Sequence, residues 1–317
     1  MSEWVIGVDF GGTNIKVGLV TRTGRVLVTE VLPARAHATP ARFVDGVGGA
    51  VDRLLRARAI RRAAVRGAVV GAPGPVDHAR GVVHSMVNVP GWREVPLGRL
   101  MRRRLGCHSL VENDVNLAAL GEWRFGAGRG VDQLACLTLG TGVGGGLIVN
   151  GALARGVSGA AGEVGHMVIN PDGPRCGCGA RGCLEAFIGT AGILRMARRA
   201  GFSQRALTPE QLSEAARPHT NQVGVGARRD NRASRQVWQE FGRWLGIGVA
   251  NVVNVLNPER VVIGGGVANA WPFFAPALRR TVRRLALPPA ARAVTIVQAQ
   301  LGNHAGIVGA AVLVWDK

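Results

Sequence analysis

The sequence predicts an α/β fold made of two similar halves. Apolar segments of strand length alternate with longer segments whose apolar residues recur at helical spacing. This order runs through the chain twice, and each round starts with two strands joined by a glycine-rich turn, first at 4–21 and again at 133–151. The repetition indicates a duplication, and we expect two lobes with a cleft between them.

Local signals place the elements of each half. The first strand is "WVIGVDF" at 4–10, and Thr39 and Pro40 mark the start of a helix as its cap and its first residue. Further strands are predicted at 16–21, 25–32, 65–74, 107–114, 260–266 and 293–299, and helices at 115–125, 186–200, 233–256 and 301–315. The polar stretch 217–234 is predicted to form a surface loop.

Composition narrows the class of protein. The 317 residues are 47% hydrophobic, which is enough for large cores, and no apolar run approaches the ~18 residues of a membrane span. The net charge of +19 does not predict nucleic-acid binding, because the arginines are scattered over separate helices and no RNP-like strand or helix-turn-helix prefix occurs. The start of the chain lacks the regions of a signal peptide. We therefore expect a cytoplasmic protein that binds neither nucleic acid nor membrane, while a nucleotide or polyphosphate stays compatible with the charge.

Three of the five cysteines lie within "CGCGARGCLE" at 176–185. Clustered thiols can form a disulfide knot, a redox site or part of a metal site, and a reducing compartment favours the metal site. A histidine upstream completes the spacing His-x9-Cys-x-Cys-x4-Cys. One imidazole and three thiolates form a full tetrahedral ligand set, so the sequence predicts a structural zinc site of His166, Cys176, Cys178 and Cys183.

Three glycine-rich loops each follow a predicted strand: "DFGGTN" at 9–14, "LGTGVGGG" at 139–146 and "GGG" at 264–266. In the first, the glycines let the backbone approach an anion and Asp9 can hold Mg²⁺, although a plain hairpin turn is the alternative. None is a Walker A loop or a Rossmann fingerprint. Three such loops at strand ends favour a nucleotide bound between two lobes.

Carboxylates and amides point to a second ligand. Asp114 and Asn116 of "VENDVN" are either helix caps or part of a site in which Asp114 accepts a hydroxyl proton and Asn113 fixes the substrate. Glu163 and Glu185 flank the zinc loop. If these groups converge on one pocket with the zinc-loop histidine, they match the hydroxyl groups of a sugar.

Together these motifs resemble the ROK family of repressors, open reading frames and kinases, within the superfamily of sugar kinases, actin and chaperone ATPases. The resemblance covers most of the chain and is carried by "DFGGTN", "GAPGPVD", "END", "LGTGVGGG", "GAAGEVGH", "CGCGARGCLE", "GGG" and "LGNHAGIVGAA". It implies a two-lobed actin-like ATPase fold (sugar kinase/ribonuclease H-like) with a duplicated βββαβα core. The small lobe would comprise 1–112 plus 303–317, and the large lobe, with the zinc loop, 113–302.

The resemblance also implies roles for individual residues. Asp114 would be the general base for the sugar 6-hydroxyl, and Asp9 would handle magnesium. The other sugar hydroxyls would be bound by Asn113, Glu163, His166 and Glu185. The phosphates would be held by Gly11, Gly12, Thr13, Asn14, Thr141 and Gly142, with Gly265 near the nucleoside. Many members have lysine where this chain has Asn14, and Lys16, two residues along the strand, is expected to face the same side.

The activity implied by the resemblance is ATP-dependent phosphorylation of a hexose, with glucose favoured, in glycolysis and carbohydrate metabolism. Mg²⁺ and a structural Zn²⁺ would be its metals, and a homodimer or homotetramer its assembly. N-acetylhexosamine kinases, fructokinases and polyphosphate-using glucokinases share the motifs and remain open. A sugar-sensing regulator is the alternative that is not an enzyme; we do not expect its winged-helix domain, because the first strand is predicted from Trp4.

Overall fold

The structure is a computed structural model that describes residues 3–86, 89, 91–202, 207–217 and 225–315. The strands in these residues are β1 (Trp4–Phe10), β2 (Asn14–Val20), β3 (Val26–Pro33), β4 (Val65–Ala72), β5 (Val76–Asp77), β6 (Val82–Ser85), β7 (Arg93–Val95), β8 (Ser109–Asn113), β9 (Leu134–Leu139), β10 (Val143–Val149), β11 (Ala152–Ala154), β12 (Arg260–Gly264) and β13 (Thr295–Gln298). The α-helices are α1 (Pro40–Ala57), α2 (Leu97–Leu105), α3 (Asp114–Phe125), α4 (Leu184–Ile188), α5 (Thr190–Arg199), α6 (Pro209–Ala215), α7 (Val225–Leu256), α8 (Trp271–Leu285), α9 (Pro288–Ala293) and α10 (Ala305–Trp315).

The two five-stranded sheets repeat one strand order. The first runs β3-β2-β1-β4-β8 and the second β11-β10-β9-β12-β13, so that corresponding strands occupy corresponding places. In the first sheet β1 pairs antiparallel with β2 and parallel with β4, and β4 pairs parallel with β8. In the second, β12 pairs parallel with both β9 and β13. The duplicated α/β arrangement predicted from the sequence is confirmed.

The chain divides into two compact units. The first consists of Met1–Asp132, Gly146–Gly162 and Gln300–Lys317, and the second of Gln133–Gly145 and Glu163–Ala299. The first unit thus includes α3, which the expected division had placed in the large lobe. Each unit has its own aromatic core. In the first unit Phe10 stacks on Phe43 with 4.7 Å between the ring centroids, and in the second Phe241 packs edge-on against Phe274 with 5.0 Å between the centroids.

Helices α3 and α10 of the first unit pack unusually closely through glycine. A Cβ atom on Gly309 would lie 1.8 Å from the carbonyl oxygen of Leu117, and one on Gly121 would lie 2.3 Å from that of Ala305. Only glycine permits this approach at either position. The contact fixes α3, whose first residue is Asp114.

Local signals account for most element boundaries, with one exception. The Thr39 side chain accepts a hydrogen bond from Arg42 N and so caps α1, as the sequence predicts. The expectation of a loop at 217–234 is wrong for 225–234, which lie in α7, whereas 218–224 fall outside the described residues. Ser234 explains part of this difference, because it is fully buried and its hydroxyl bonds to the Leu212 carbonyl.

Among the described residues, no helix has both the length and the hydrophobicity that crossing a membrane requires.

Candidate active site

The parallel strands of the first unit bring several predicted site residues to one sheet edge. Asp9 at the end of β1 is paired with Gly71 of β4, which is paired with Glu112 of β8. The carboxyl ends of parallel strands are the usual place for ligands in α/β proteins. Asn113, the last residue of β8, donates from Nδ2 to the carbonyl oxygen of Gly74 at 3.3 Å. The "GAPGPVD" loop is thereby tied to this edge.

The first turn of α3 shows which residue caps the helix. Asn113 Oδ1 accepts hydrogen bonds from Val115 N at 2.9 Å and Asn116 N at 3.1 Å. The cap is therefore Asn113, and the alternative that Asp114 or Asn116 caps the helix is wrong. Asp114 follows in the first turn, where its Oδ1 accepts from Val115 N at 3.0 Å.

Asp9 lies in a mixed environment. Burial raises the pKa of its carboxyl, and Lys16, whose Nζ is 3.6 Å away, partly offsets this. Lys16 Nζ also donates to the Asn303 carbonyl at 3.2 Å. A divalent cation held at Asp9 would add the positive charge that favours its ionised form. The carboxylate therefore fits the magnesium role predicted for it.

The glycine loops contain residues for which the fold itself gives no reason. Gly11 N donates to Asn14 O at 3.0 Å, which closes the first loop as a tight turn. A Cβ on Gly12, Gly140 or Gly266 would meet no atom within 4 Å among the described residues, and none of the three has a left-handed backbone. The open space beside these three residues would let a ligand approach the backbone closely, as expected for loops that bind phosphate.

Two of these loops lie against each other in the second unit. Gly265 has φ of 83°, and a Cβ there would lie 2.3 Å from the carbonyl oxygen of Leu139. Thr190 Oγ1 donates to the Gly140 carbonyl at 3.1 Å, which holds the loop after β9 on the start of α5. The structure thus brings Gly265 and the loop containing Thr141 together.

Glu185 connects this loop to the cysteine cluster, a link that sequence reasoning missed. Its Oε2 accepts a hydrogen bond from Val143 N at 3.0 Å, and a Cβ on Gly142 would lie 2.3 Å from the same oxygen. Its Oε1 lies 3.6 Å from Cys176 Sγ. One carboxylate therefore touches both the predicted phosphate loop and the predicted zinc site.

The four predicted zinc ligands converge. The ligand atoms of His166, Cys176, Cys178 and Cys183 all lie within 4.8 Å of one another. Cys178 Sγ is 3.7 Å from Cys183 Sγ, and Cys176 Sγ is 3.7 Å from His166 Nδ1. Zn–S bonds of about 2.3 Å in a tetrahedron require S···S separations of about 3.8 Å, whereas a disulfide has about 2.05 Å. The cysteines are free thiols, and the donor set and spacing fit zinc.

The surroundings of the cluster also suit a cation. Burial raises the pKa of Cys176 to about 12 and raises that of Cys183. A hydrogen bond with the backbone of Ala180 lowers the pKa of Cys178. A divalent cation would supply the charge that buried thiolates need. His166 turns Nδ1 to the thiols, and its Nε2 lies 4.0 Å from a carboxylate oxygen of Glu163.

Two further residues of the first unit were missed. Arg155 and His78 both reach the buried carboxylate of Glu112, next to Asn113, at 2.8 and 3.3 Å. They come from distant parts of the sequence. Their proximity to the motifs "GAAGEVGH" and "GAPGPVD" is the only signal that could have suggested them.

Comparison with known proteins gives consistent matches over nearly the whole chain. A sequence model of the ROK family matches residues 5–317. The glucokinase of Streptomyces coelicolor is 36% identical over 316 residues, which cover 96% of each chain, and that of Halalkalibacterium halodurans is 34% identical over 98% of this chain and 95% of its own. The crystal structure of a ROK family glucokinase from Streptomyces griseus, in complex with glucose and AMPPNP, superimposes with a TM-score of 0.82 at 35% identity and 98% coverage of both chains.

Proposed function

We infer, because the chain belongs to the ROK family and has the fold class of its two-lobed actin-like sugar kinases, that it is a glucokinase. It transfers the γ-phosphoryl group of ATP to the 6-hydroxyl of glucose. The observation that carries this proposal is the similarity to glucokinases along nearly the full length of both chains. The site residues described in each of the two units provide the chemistry that the reaction needs.

Asp114 is the general base that takes the proton from the sugar 6-hydroxyl. Its place in the first turn of α3, beside the cap at Asn113, supports this role because the backbone there is held by two hydrogen bonds. Asn113 uses Oδ1 for the cap and one Nδ2 hydrogen for Gly74, so it offers the sugar its second Nδ2 hydrogen. The other hydroxyls are bound by Glu163, His166 and Glu185.

The nucleotide is held by the glycine loops. Their phosphate-binding residues are Gly11, Gly12, Thr13, Asn14, Thr141 and Gly142, and Gly265 lies near the nucleoside. Asp9 holds Mg²⁺, which when bound neutralises charge on the phosphates. The unexplained glycines at 12 and 140 support this assignment.

Zinc is structural in this proposal and is held by His166, Cys176, Cys178 and Cys183. The three-residue hydrophobic cluster of Cys176, Cys183 and Ala186 provides little core for the loop. Four metal bonds would fix the conformation of this loop and hold His166 and Glu185 in constant positions relative to each other. We further propose a cytoplasmic, glycolytic enzyme that forms a homodimer or homotetramer and has lobes of 1–112 plus 303–317 and 113–302; family membership is the support for these points.

The product identifies the reaction. The purified protein, incubated with Mg-ATP and uniformly ¹³C-labelled glucose, should convert the sugar to a phosphate ester at carbon 6, seen by ¹³C and ³¹P NMR. A parallel sample with polyphosphate in place of ATP determines the donor. Consumption of polyphosphate alone, or phosphate at another carbon, would contradict the proposal.

A further inference from the structure

Glu112 is a buried carboxylate next to the proposed base. It is the second-last residue of β8, two residues before Asp114, and it is 2% exposed. A carboxylate at such a position is costly unless charged partners and hydrogen bonds compensate it. Its partners show what the charge is used for.

The two carboxylate oxygens bind different parts of the first unit. Oε1 accepts hydrogen bonds from Asn113 N at 3.0 Å and from Asn116 Nδ2 at 3.0 Å. It therefore binds both the cap residue and the first turn of α3. Oε2 accepts from Arg155 Nε at 2.8 Å and lies 3.3 Å from His78 Nδ1. His78 Nδ1 is also 3.0 Å from the Val111 carbonyl, so the guanidinium of Arg155 is the firmer partner.

Arg155 connects Glu112 to a second segment, residues 155–162. It follows β11 and precedes a turn in which Ala161 N donates to the Arg155 carbonyl at 3.0 Å. Gly156, Gly159 and Gly162 in this segment have positive φ, so the backbone depends on a few anchors to keep its conformation. The segment leads directly to Glu163, one of the proposed sugar ligands.

We propose that Glu112 is a positioning residue for phosphoryl transfer: its carboxylate, paired with Arg155, sets the first turn of α3 and hence the orientation of Asp114. This inference rests on the proposed kinase function. Misplacement of a reacting group by about 1 Å can lower a rate about 10²-fold. Loss of the carboxylate charge should therefore affect turnover more than substrate binding.

Glu112→Gln is the primary variant. It keeps the shape of the side chain but removes the charge opposite Arg155 and places an amide donor against donors. We expect kcat for glucose to fall ~10- to 100-fold while KM for ATP changes less than ~3-fold.

Glu122 provides a matched control at the other end of the same helix. It is 1% exposed and accepts hydrogen bonds from Ala127 N, Gln300 N and Leu301 N at 2.8, 3.1 and 2.7 Å. Glu122→Gln should lower Tm at least as much as Glu112→Gln and leave kcat within ~2-fold of wild type, because it acts on the end of α3 remote from Asp114.

The outcomes separate this inference from the proposed function. A wild-type protein that does not phosphorylate glucose overturns the function and the positioning role together. An active wild type whose kcat survives Glu112→Gln, or falls equally in Glu122→Gln, overturns the positioning role alone. If Glu112→Gln does not fold, Arg155→Gln removes the charge partner of Glu112 instead, at a side chain that is itself 30% exposed. An unchanged kcat in Arg155→Gln would then overturn the positioning role of Glu112.

Discussion

Replacing Asp114 with asparagine separates the chemistry of the site from its structure. Asparagine keeps an oxygen that can accept the hydrogen bond that Val115 N donates at 3.0 Å, and the cap at Asn113 is untouched. Removing the negative charge from the first turn of α3 costs about 0.3–1 kcal/mol through the helix dipole. Catalysis would lose the proposed proton acceptor.

The expected loss of turnover is much larger than the loss of stability. A general base contributes about 10²–10⁴-fold, equivalent to about 2.7–5.4 kcal/mol of transition-state stabilisation. In a coupled assay with saturating glucose and Mg-ATP, kcat of Asp114→Asn should fall at least ~10²-fold while Tm falls by only a few degrees.

Glu210→Gln is the control for this experiment. It removes an exposed carboxylate from the first turn of α6 and loses the same kind of dipole interaction, so it should keep kcat. An Asp114→Asn protein with near-normal kcat would refute the assignment of the base.

Two further predictions concern the metal and acid stability. Cys178→Ser should reduce bound zinc to well below one per chain and lower Tm, whereas Cys107→Ser, outside the cluster, should change neither; a folded and fully active protein without zinc would contradict the role of the metal. Partial burial would raise the pKa of Asp52, but hydrogen bonds from Arg104 and Arg62 outweigh it and lower the pKa below its usual value. Its ionised form therefore stabilises the fold above about pH 4, and this contribution is lost as pH falls through the lowered pKa. The difference in free energy of unfolding between wild type and Asp52→Asn should shrink over that range, and a constant difference would be contrary to this pairing.

Signals that act over a few residues predicted much of the molecule. The cap at Thr39, the glycine turns and the repeated strand pattern are local, and they correspond to α1, the hairpins and the two equivalent sheets. The clustering of His166, Cys176, Cys178 and Cys183 was also predictable, because the four residues lie within 18 positions of the chain. Their convergence follows from a short loop.

The contacts that sequence reasoning missed join distant segments. Glu112 and Arg155 are 43 positions apart, and Glu185 and Val143 are 42 positions apart. Nothing in the composition of either segment identifies its partner, since tertiary packing alone brings them together. The start of α7 was missed for a related reason: Ser234 reads as a loop residue until its burial against α6 is known.

Initial rates with a panel of sugars test the central claim most directly. The purified protein should be assayed with Mg-ATP and, one at a time, glucose, fructose, mannose, N-acetylglucosamine and N-acetylmannosamine. We predict the highest kcat/KM for glucose, and no turnover with 6-deoxyglucose, which lacks the acceptor hydroxyl. Higher kcat/KM for another sugar would contradict the glucokinase assignment, and absence of turnover with every sugar would contradict the kinase function itself.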